Sequence, residues 1–369
     1  MKIIMVAGTR PNFMKVAPII REIEAKGISC CLVHTGQHFD ELMSKIFFSD
    51  LGLPEPDVYL GVKGGTHAYQ TGEALKALET VYIQEKPDLV VVVGDVNSTL
   101  AGALAAVKIR IPVAHVEAGY RSHDIAMPEE INRIIVDRIS QMLFAPTQDA
   151  VDNLVKEGID SKRIFFVGNV MAQTLLEFVE AIDKELPEAL SDKHLGDYVL
   201  ATVHRAENTD DPRRLRQIME SFAELPLPVV FPIHPRTAGK LPKELKQLCA
   251  DSGVYFLRPQ GYIDFLKLMI NSRLLLTDSG GIQEEALLLG IPCLTLRYNT
   301  ERVATIELGA NKLVGTDKGL IIKEARRILS EPKKSYPVPP LWDKKVAGRI
   351  VDAVIANSNL LEIKPQEKL

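Results

Sequence analysis

No stretch of this sequence approaches the roughly 20 consecutive apolar residues that a membrane-spanning helix needs, which argues against a membrane partner. The apolar opening, Met1 to Ala7, meets Gly8-Thr9-Arg10-Pro11 too soon to form a secretory core, so the expected location is cytoplasmic. Basic blocks are missing as well. Lys and Arg number 44 against 48 Asp and Glu, a net charge of −4, and a chain without a basic face has no means of neutralising a nucleic-acid backbone. The four cysteines (Cys30, Cys31, Cys249 and Cys293) form no C-x-x-C pair, and a disulfide scaffold is excluded. They read as buried apolar residues, with Cys30 and Cys31 on opposite sides of one strand. The first strand-to-helix turn carries neither G-x-G-x-x-G nor a P-loop, so dinucleotide and Walker-type phosphate binding lose support. No H-x-x-x-H or H-E-x-x-H accompanies the histidines, which weakens a zinc reading.

What is present is a regular alternation. Short apolar runs are each followed by a turn and a segment of helical period, the pattern of a parallel sheet covered on both faces. In the first half the runs are Ile3 to Ala7, Cys31 to His34, Leu89 to Val93, Val113 to Val116, Met142 to Ala145 and Ile164 to Val167. In the second they are Tyr198 to Val203, Val229 to Ile233, Val254 to Leu257, Leu274 to Leu276, Cys293 to Leu296 and Lys312 to Val314. The fold class is α/β, with two Rossmann-like doubly wound domains facing a cleft. We expect one domain over residues 1–175 that carries acid/base residues, a second over 176–340, and a helix and tail over 341–369 that packs back on the first. In such sheets ligands bind beyond the carboxyl ends of the strands, so the residues just after each run are the ones to inspect.

In the first half those residues are rich in acids. Gly94-Asp95 follows one run, His115-Val116-Glu117 another, and Met127-Pro128-Glu129-Glu130 opens a helix with Pro128 at its first position. Each acid alone reads as a cap or helix pair: Asp95 as an N-cap, Glu129 as the i+4 partner of Arg133. Three acids at the mouth of one sheet are a different matter, because like charges in one site separate into acid and base roles. On the same helix Ile131, Ile134 and Ile135 are expected to face the core.

In the second half His204-Arg205 and His234-Pro235-Arg236 each put a His and an Arg beyond a strand, which suggests a polyanion. Thr277-Asp278-Ser279-Gly280-Gly281 then leads into a helix whose free N–H groups make a diphosphate cradle. One turn further, Glu285 suits a ribose diol. The plainer reading of this fragment is a glycine turn capped by Asp278 or Ser279.

Taken in order, G-T-R-P-x-x-x-K at Gly8 to Lys15, T-G-Q-H at Thr35 to His38, G-D-x-N-S at Gly94 to Ser98, H-V-E-A-G-x-R at His115 to Arg121, P-E-E-x-N-R at Pro128 to Arg133, H-R-x-E-N at His204 to Asn208, T-D-S-G-G-I-Q-E-E at Thr277 to Glu285 and N-T-E-R at Asn299 to Arg302 resemble the UDP-N-acetylglucosamine 2-epimerase family of the non-hydrolysing type. The resemblance covers about residues 1 to 325. It implies the two-domain glycosyltransferase-B fold, a UDP-sugar substrate, no cofactor or metal, and a homodimer. It implies a catalytic set of Asp95, Glu117, Glu129 and His204. Substrate contacts would come from Arg10, Lys15, Arg133, Arg205, His234, Arg236, Phe265 beside the uracil, Ser279, Gly280, Gly281, Glu285 on the ribose, and Arg302. Gln37 and His38 would belong to a regulatory site, although the chain continues Phe39-Asp40-Glu41 where bacterial relatives have R-x-M.

The implied reaction inverts C2 by eliminating UDP to 2-acetamidoglucal and adding it back. The rivals are a hydrolysing epimerase releasing N-acetylmannosamine, an epimerase of a 2,3-diacetamido uronate sugar nucleotide, and a glycosyltransferase of the same fold.

Overall fold

The structure, a computed structural model, describes residues 1–37, 55–62, 64–183, 185, 187, 190 and 195–361, apart from the side chain of Arg10. Two compact units result: Met1–Glu177 together with the segment from Pro339 onward, and Phe178–Val338.

The first unit is built on seven strands: β1 (Lys2–Ala7), β2 (Ser29–His34), β3 (Val58–Tyr59), β4 (Leu89–Val93), β5 (Val113–Val116), β6 (Met142–Ala145) and β7 (Ile164–Phe166), in the spatial order β3-β2-β1-β4-β5-β6-β7. All pairings are parallel. The five residues of β4 are all buried, as a strand covered on both faces requires. Small residues let the next helix, Asn97–Lys108, lie close on the sheet: Ala101, Ala103, Ala105 and Ala106 are buried, and a Cβ on Gly102 would sit 3.0 Å from Val92. Each large aliphatic side chain fully buried in this layer is worth about 1.5–3 kcal/mol. The two-residue β3 is absent from the sequence reading, being too short to leave a run.

The second unit repeats the plan with β8 (Val199–Thr202), β9 (Val229–Pro232), β10 (Val254–Leu257), β11 (Leu274–Thr277), β12 (Cys293–Thr295) and β13 (Asn311–Leu313), in the order β10-β9-β8-β11-β12-β13, again all parallel. Its core packs on both sheet faces, with Ile218, Met219 and Phe222 on one side and Leu268, Met269 and Ala286 on the other.

In both sheets the order reverses beside the first strand, between β1 and β4 and between β8 and β11. Adjacent loops there leave on opposite faces and open a crevice. Asp95 follows β4 at the first of these switch points, and His204, Arg205 and Ser279 follow β8 and β11 at the second.

The chain returns to the first unit through Trp342, whose Nε1–H donates to the Pro146 carbonyl at 3.0 Å. The helix Val346–Ala356 follows, and Arg349 Nε–H donates to the Val167 carbonyl at 2.7 Å. Gly168 makes the passage possible, since at φ +89° a Cβ would lie 2.1 Å from the Leu341 carbonyl oxygen. All four cysteines are free. Cys30 is only half-buried, at the exposed start of β2, a departure from the expectation that all four are buried.

Candidate active site

At the first switch point, Asn12 closes the turn after β1. Its side-chain oxygen accepts from the Thr9 amide at 3.1 Å and its Nδ2–H donates to the Val93 carbonyl at 3.1 Å, tying this turn to the end of β4. Lys15, one turn into the helix Arg10–Ala25, pairs with Glu117 Oε2. Glu117 is only 4% exposed. Its second oxygen, Oε1, has no hydrogen-bond partner among the described residues, and its backbone sits at φ +68°. A left-handed non-glycine residue costs about 1–2 kcal/mol, and such strain gathers where a side chain must be aimed. Gly94, at φ +71°, takes the left-handed turn beside this carboxylate that a side chain would strain.

Asp95 follows directly. Its carboxylate pairs with Arg133, and its carbonyl accepts from Asn132 Nδ2–H at 2.8 Å. It does not cap a helix, since Val96 occupies the N-cap of Asn97–Lys108. Nor does Glu129 pair with Arg133. That guanidinium donates through Nε to Glu130 at 3.0 Å, leaving the half-buried Glu129, one turn from Arg133, with no ion pair among the described residues. Glu130 also accepts the Ser122 and His123 amides at 3.0 and 2.9 Å. Burial pushes its pKa up, but those amides and Arg133 outweigh it and hold Glu130 below the usual carboxylate range.

The expectation for Ile131, Ile134 and Ile135 is overturned: they are 41%, 38% and 36% exposed. The buried face of the helix Pro128–Ile139 carries Glu130, Asn132, Arg133, Val136 and Asp137. It faces strand-end loops whose polar groups need partners. Asp137 pairs with His115 Nδ1 at 2.6 Å and with Arg121 at 2.8 Å, and accepts the Gly119 amide at 3.1 Å. His115 Nε2 lies 2.8 Å from the Gly94 carbonyl, which can only accept, so Nε2–H donates. One helix thus braces the Gly94-Asp95 turn, Glu117's neighbours and the Gly119 turn. Neither Asp137 nor His115 had been assigned a role; the spacing of Asp137, i+4 from Arg133, is the one available signal.

Gln37, from the expected regulatory pair, accepts from Ser98 through backbone N–H at 3.1 Å and Oγ–H at 2.7 Å. His38 lies outside the described residues, as does the side chain of Arg10.

At the second switch point, His204 and Arg205 follow β8 and Asp278 follows β11. Asp278, fully buried, accepts the His204 and Arg205 amides at 3.1 and 3.0 Å and the Asn208 side-chain amide at 3.0 Å, and pairs with His204 Nδ1 at 2.8 Å. Ser279 is the N-cap of the helix Gly280–Leu288 without any side-chain cap hydrogen bond, so the amides of that turn keep their capacity for an anion. Ser279 holds the N-cap position, but neither its side chain nor that of Asp278 makes the capping hydrogen bond the plainer reading of the fragment expects. Gly280 leaves space for Glu301, whose Oε1 would lie 2.4 Å from a Cβ there. Arg302 is buried against Glu284 at 3.3 Å. Further along, Glu285 accepts from Tyr262 Oη–H at 3.3 Å, and burial raises its pKa to about 7. Phe265, half-buried, packs on the core beside Leu268 and Ala286.

His234 and Arg236 follow β9, the neighbour of β8. His234 Nδ1 accepts the Arg236 amide as the cap of the helix Pro235–Lys240, and the Arg236 side chain is held by both oxygens of Asp210, at 3.1 and 2.9 Å. Among the described residues no group of His, Cys, Asp or Glu is arranged to hold a metal ion, and no helix is long and apolar enough to cross a membrane.

Two doubly wound parallel sheets, each with its chemistry at the carboxyl ends of the strands, define an enzyme of the glycosyltransferase-B-like class. A family model described as UDP-N-acetylglucosamine 2-epimerase matches residues 21–355. The chain belongs to that family. It is 46% identical over 361 residues to the UDP-N-acetylglucosamine 2-epimerase of Methanocaldococcus jannaschii, covering 95% of this chain and 98% of that one. It is also 46% identical over 337 residues to the UDP-2,3-diacetamido-2,3-dideoxy-D-glucuronate 2-epimerase of Pseudomonas aeruginosa, covering 90% of this chain and 93% of that one. The crystal structure of the M. jannaschii enzyme in complex with UDP-GlcNAc and UDP superposes with a TM-score of 0.89 at 45% identity, covering 96% of this chain and all of that one.

Proposed function

We propose that the chain catalyses reversible C2 epimerisation of UDP-N-acetylglucosamine to UDP-N-acetylmannosamine without net hydrolysis. The C2 proton has no adjacent carbonyl to acidify it, so a carboxylate removes it as the C1–O bond to UDP breaks, leaving 2-acetamidoglucal. A proton then returns to the opposite face of C2 while a UDP oxygen re-adds to C1. The observation that carries this reading is Glu117, a buried carboxylate in a left-handed strand-end turn with one oxygen unengaged. Asp95 and Glu129 complete the set needed for two faces, and positioned acid/base groups of this kind contribute about 10²- to 10⁴-fold each. In the second unit the uncapped Ser279-Gly280-Gly281 turn serves the diphosphate, with His204 and Arg205 beside it, and Glu285 serves the ribose. Arg10, Lys15, Arg133 and Arg302 complete the cationic complement, with Phe265 toward the uracil.

Proton NMR of UDP-N-acetylglucosamine with the protein in D2O tests this. UDP-N-acetylmannosamine deuterated at C2, with little free UDP, is the expected result. Stoichiometric free N-acetylmannosamine and UDP would place the chain with hydrolysing epimerases, and an unchanged spectrum would remove the reading for this substrate. A second reading has its own support: the 46% identity to the P. aeruginosa relative makes a 2,3-diacetamido uronate sugar nucleotide the substrate to try in parallel. We further propose a homodimer that pairs through the exposed Ile131, Ile134 and Ile135, since an apolar patch on one copy is covered by the same patch on another in a two-fold pair.

A further inference from the structure

We propose that Asp278 is a positioning residue acting through His204: it holds the imidazole as the Nδ1–H tautomer, so that every proton or hydrogen bond His204 exchanges with the diphosphate passes through Nε2. The inference rests on the epimerase reading above.

The ends of β8 and β11 are locked together, with Thr202 Oγ1 and Thr277 Oγ1 2.7 Å apart, and the next residues are Val203-His204 on one strand and Asp278 on the other. An acid at a helix start ordinarily turns forward to cap it. Asp278 turns the other way. It gives nothing to the helix Gly280–Leu288 and spends its oxygens on the loop after β8, taking the amides of His204 and Arg205 and the Asn208 side chain. Asn208 anchors that loop further by donating to the Leu296 carbonyl at 3.0 Å, and Arg205 Nε–H donates back to the Asp278 carbonyl at 2.9 Å. Every partner of the carboxylate is a donor. Burial pushes its pKa up, but His204, the Arg205 amide and Asn208 outweigh burial and keep it ionised, below the usual range.

A carboxylate in that state only accepts. With His204 Nδ1 at 2.8 Å, the ring proton therefore sits on Nδ1. The remaining nitrogen, Nε2, is at the far end of a side chain that is 50% exposed, in a loop that adjoins the diphosphate turn through Arg205. A carboxylate placed this close to an anion site would repel its ligand if it faced it. Turned inward and surrounded by donors, it instead fixes which nitrogen His204 presents.

The test compares wild type, D278N, H204Q and the double variant by kcat, KM, UDP affinity and thermal melting. An asparagine at 278 offers an N–H where the imidazole needs an acceptor, which favours the opposite tautomer. D278N should lower kcat by about 10²- to 10⁴-fold, the usual range for a misplaced acid/base group, with little change in UDP affinity. The double variant should be no slower than H204Q, because residues that act as a unit are not additive. Penalties that multiply, or a D278N enzyme with normal kcat and raised KM, would overturn the assignment. Should D278N fail to fold, 15N spectra of the wild-type imidazole, assigned by its absence in H204Q and recorded where the ring is neutral, decide the matter. An Nδ1–H ring supports the proposal and an Nε2–H ring overturns it. A wild-type chain that epimerises no UDP sugar would sink the functional reading instead, and the spectroscopic test of the tautomer would stand apart from that result.

Discussion

Glu285 offers a direct trade between stability and binding. The side chain is 6% exposed, and burial, reinforced by the neighbouring Glu284 and partly offset by the Tyr262 hydroxyl, raises its pKa from the ordinary 4.5 to about 7. The folded chain therefore holds this proton more tightly than the unfolded chain. Its contribution to stability is complete below pH 4.5, declines as pH rises from there, and is gone above about 7, where an ionised carboxylate sits in a dry site. At about 1.4 kcal/mol for each tenfold difference in proton affinity, that displacement is worth about 3 kcal/mol. E285Q is permanently neutral and keeps an oxygen to accept from Tyr262. It should lie within about 1 kcal/mol of wild type at pH 5 and exceed it at pH 8 by up to about 3 kcal/mol, measured as urea midpoints without ligand. The same variant should lose UDP affinity at pH 8, since the proposed ribose contact changes from a charge-assisted hydrogen bond to a neutral one, a difference of about 1 kcal/mol or more. Wild-type affinity for UDP should tighten as pH rises through about 7, and that of E285Q should stay flat. If E285Q is less stable than wild type at pH 8, or if wild-type stability does not change differently from that of E285Q between pH 5 and 8, the reasoning about this carboxylate is wrong.

Other substitutions probe the first unit. D95N, E117Q and E129Q should each lower turnover by about 10²- to 10⁴-fold, with D95N and E117Q also melting earlier because each leaves a buried cation, Arg133 or Lys15, short of a partner; near-normal turnover in all three would remove the proposed mechanism. G119A should destabilise by about 2 kcal/mol or more, because the residue sits at φ +89° with a would-be Cβ 2.3 Å from the Ala150 carbonyl oxygen, and a wild-type urea midpoint would contradict that. I134E places a charge on the exposed apolar stripe, and light scattering should show the mass of the assembly halved; an unchanged mass would take this face out of the proposed pairing.

Much of the architecture was legible because strands buried on both faces read as unbroken apolar runs. Leu89 to Val93 is such a case, read and observed with the same ends. The strand ends were then informative by rule, since a doubly wound sheet places ligands beyond its carboxyl edge. Individual roles were harder to see. Asp278 and Glu117 are both acids one residue past a strand, yet one has every oxygen committed to donors and the other keeps Oε1 unengaged. That difference comes from what the neighbouring loops present and has no signature in the local sequence. His234-Pro235-Arg236 looks like His204-Arg205 on paper, but Asp210, which closes the short helix after His204-Arg205 and is distant in sequence from Arg236, takes the Arg236 guanidinium.

The helix Pro128–Ile139 shows why hydropathy failed in one place and what that failure marks. A periodic apolar stripe is read as the buried face because the usual neighbour of a helix is a hydrophobic sheet. Here the neighbours are the helix Asn97–Lys108, whose alanines share a core with Val136, and the loops after β4 and β5, where backbone groups have left the sheet and need partners. The carbonyl of Asp95 and the amides of Gly119, Ser122 and His123 are answered by Asn132, Asp137 and Glu130, so the inward face must be polar. Arg133 and Asp137 then carry charge inward, and each is paired, as burial demands: Arg133 with Asp95 and Glu130, Asp137 with His115 and Arg121. With the inward face committed to bracing the acid-bearing turns, the isoleucines are left on the outside. An exposed apolar stripe on an isolated chain has an energetic cost that a second copy removes. The inverted helix therefore connects the two proposals made for the first unit, fixing the acid/base turns from one face and offering the pairing surface on the other.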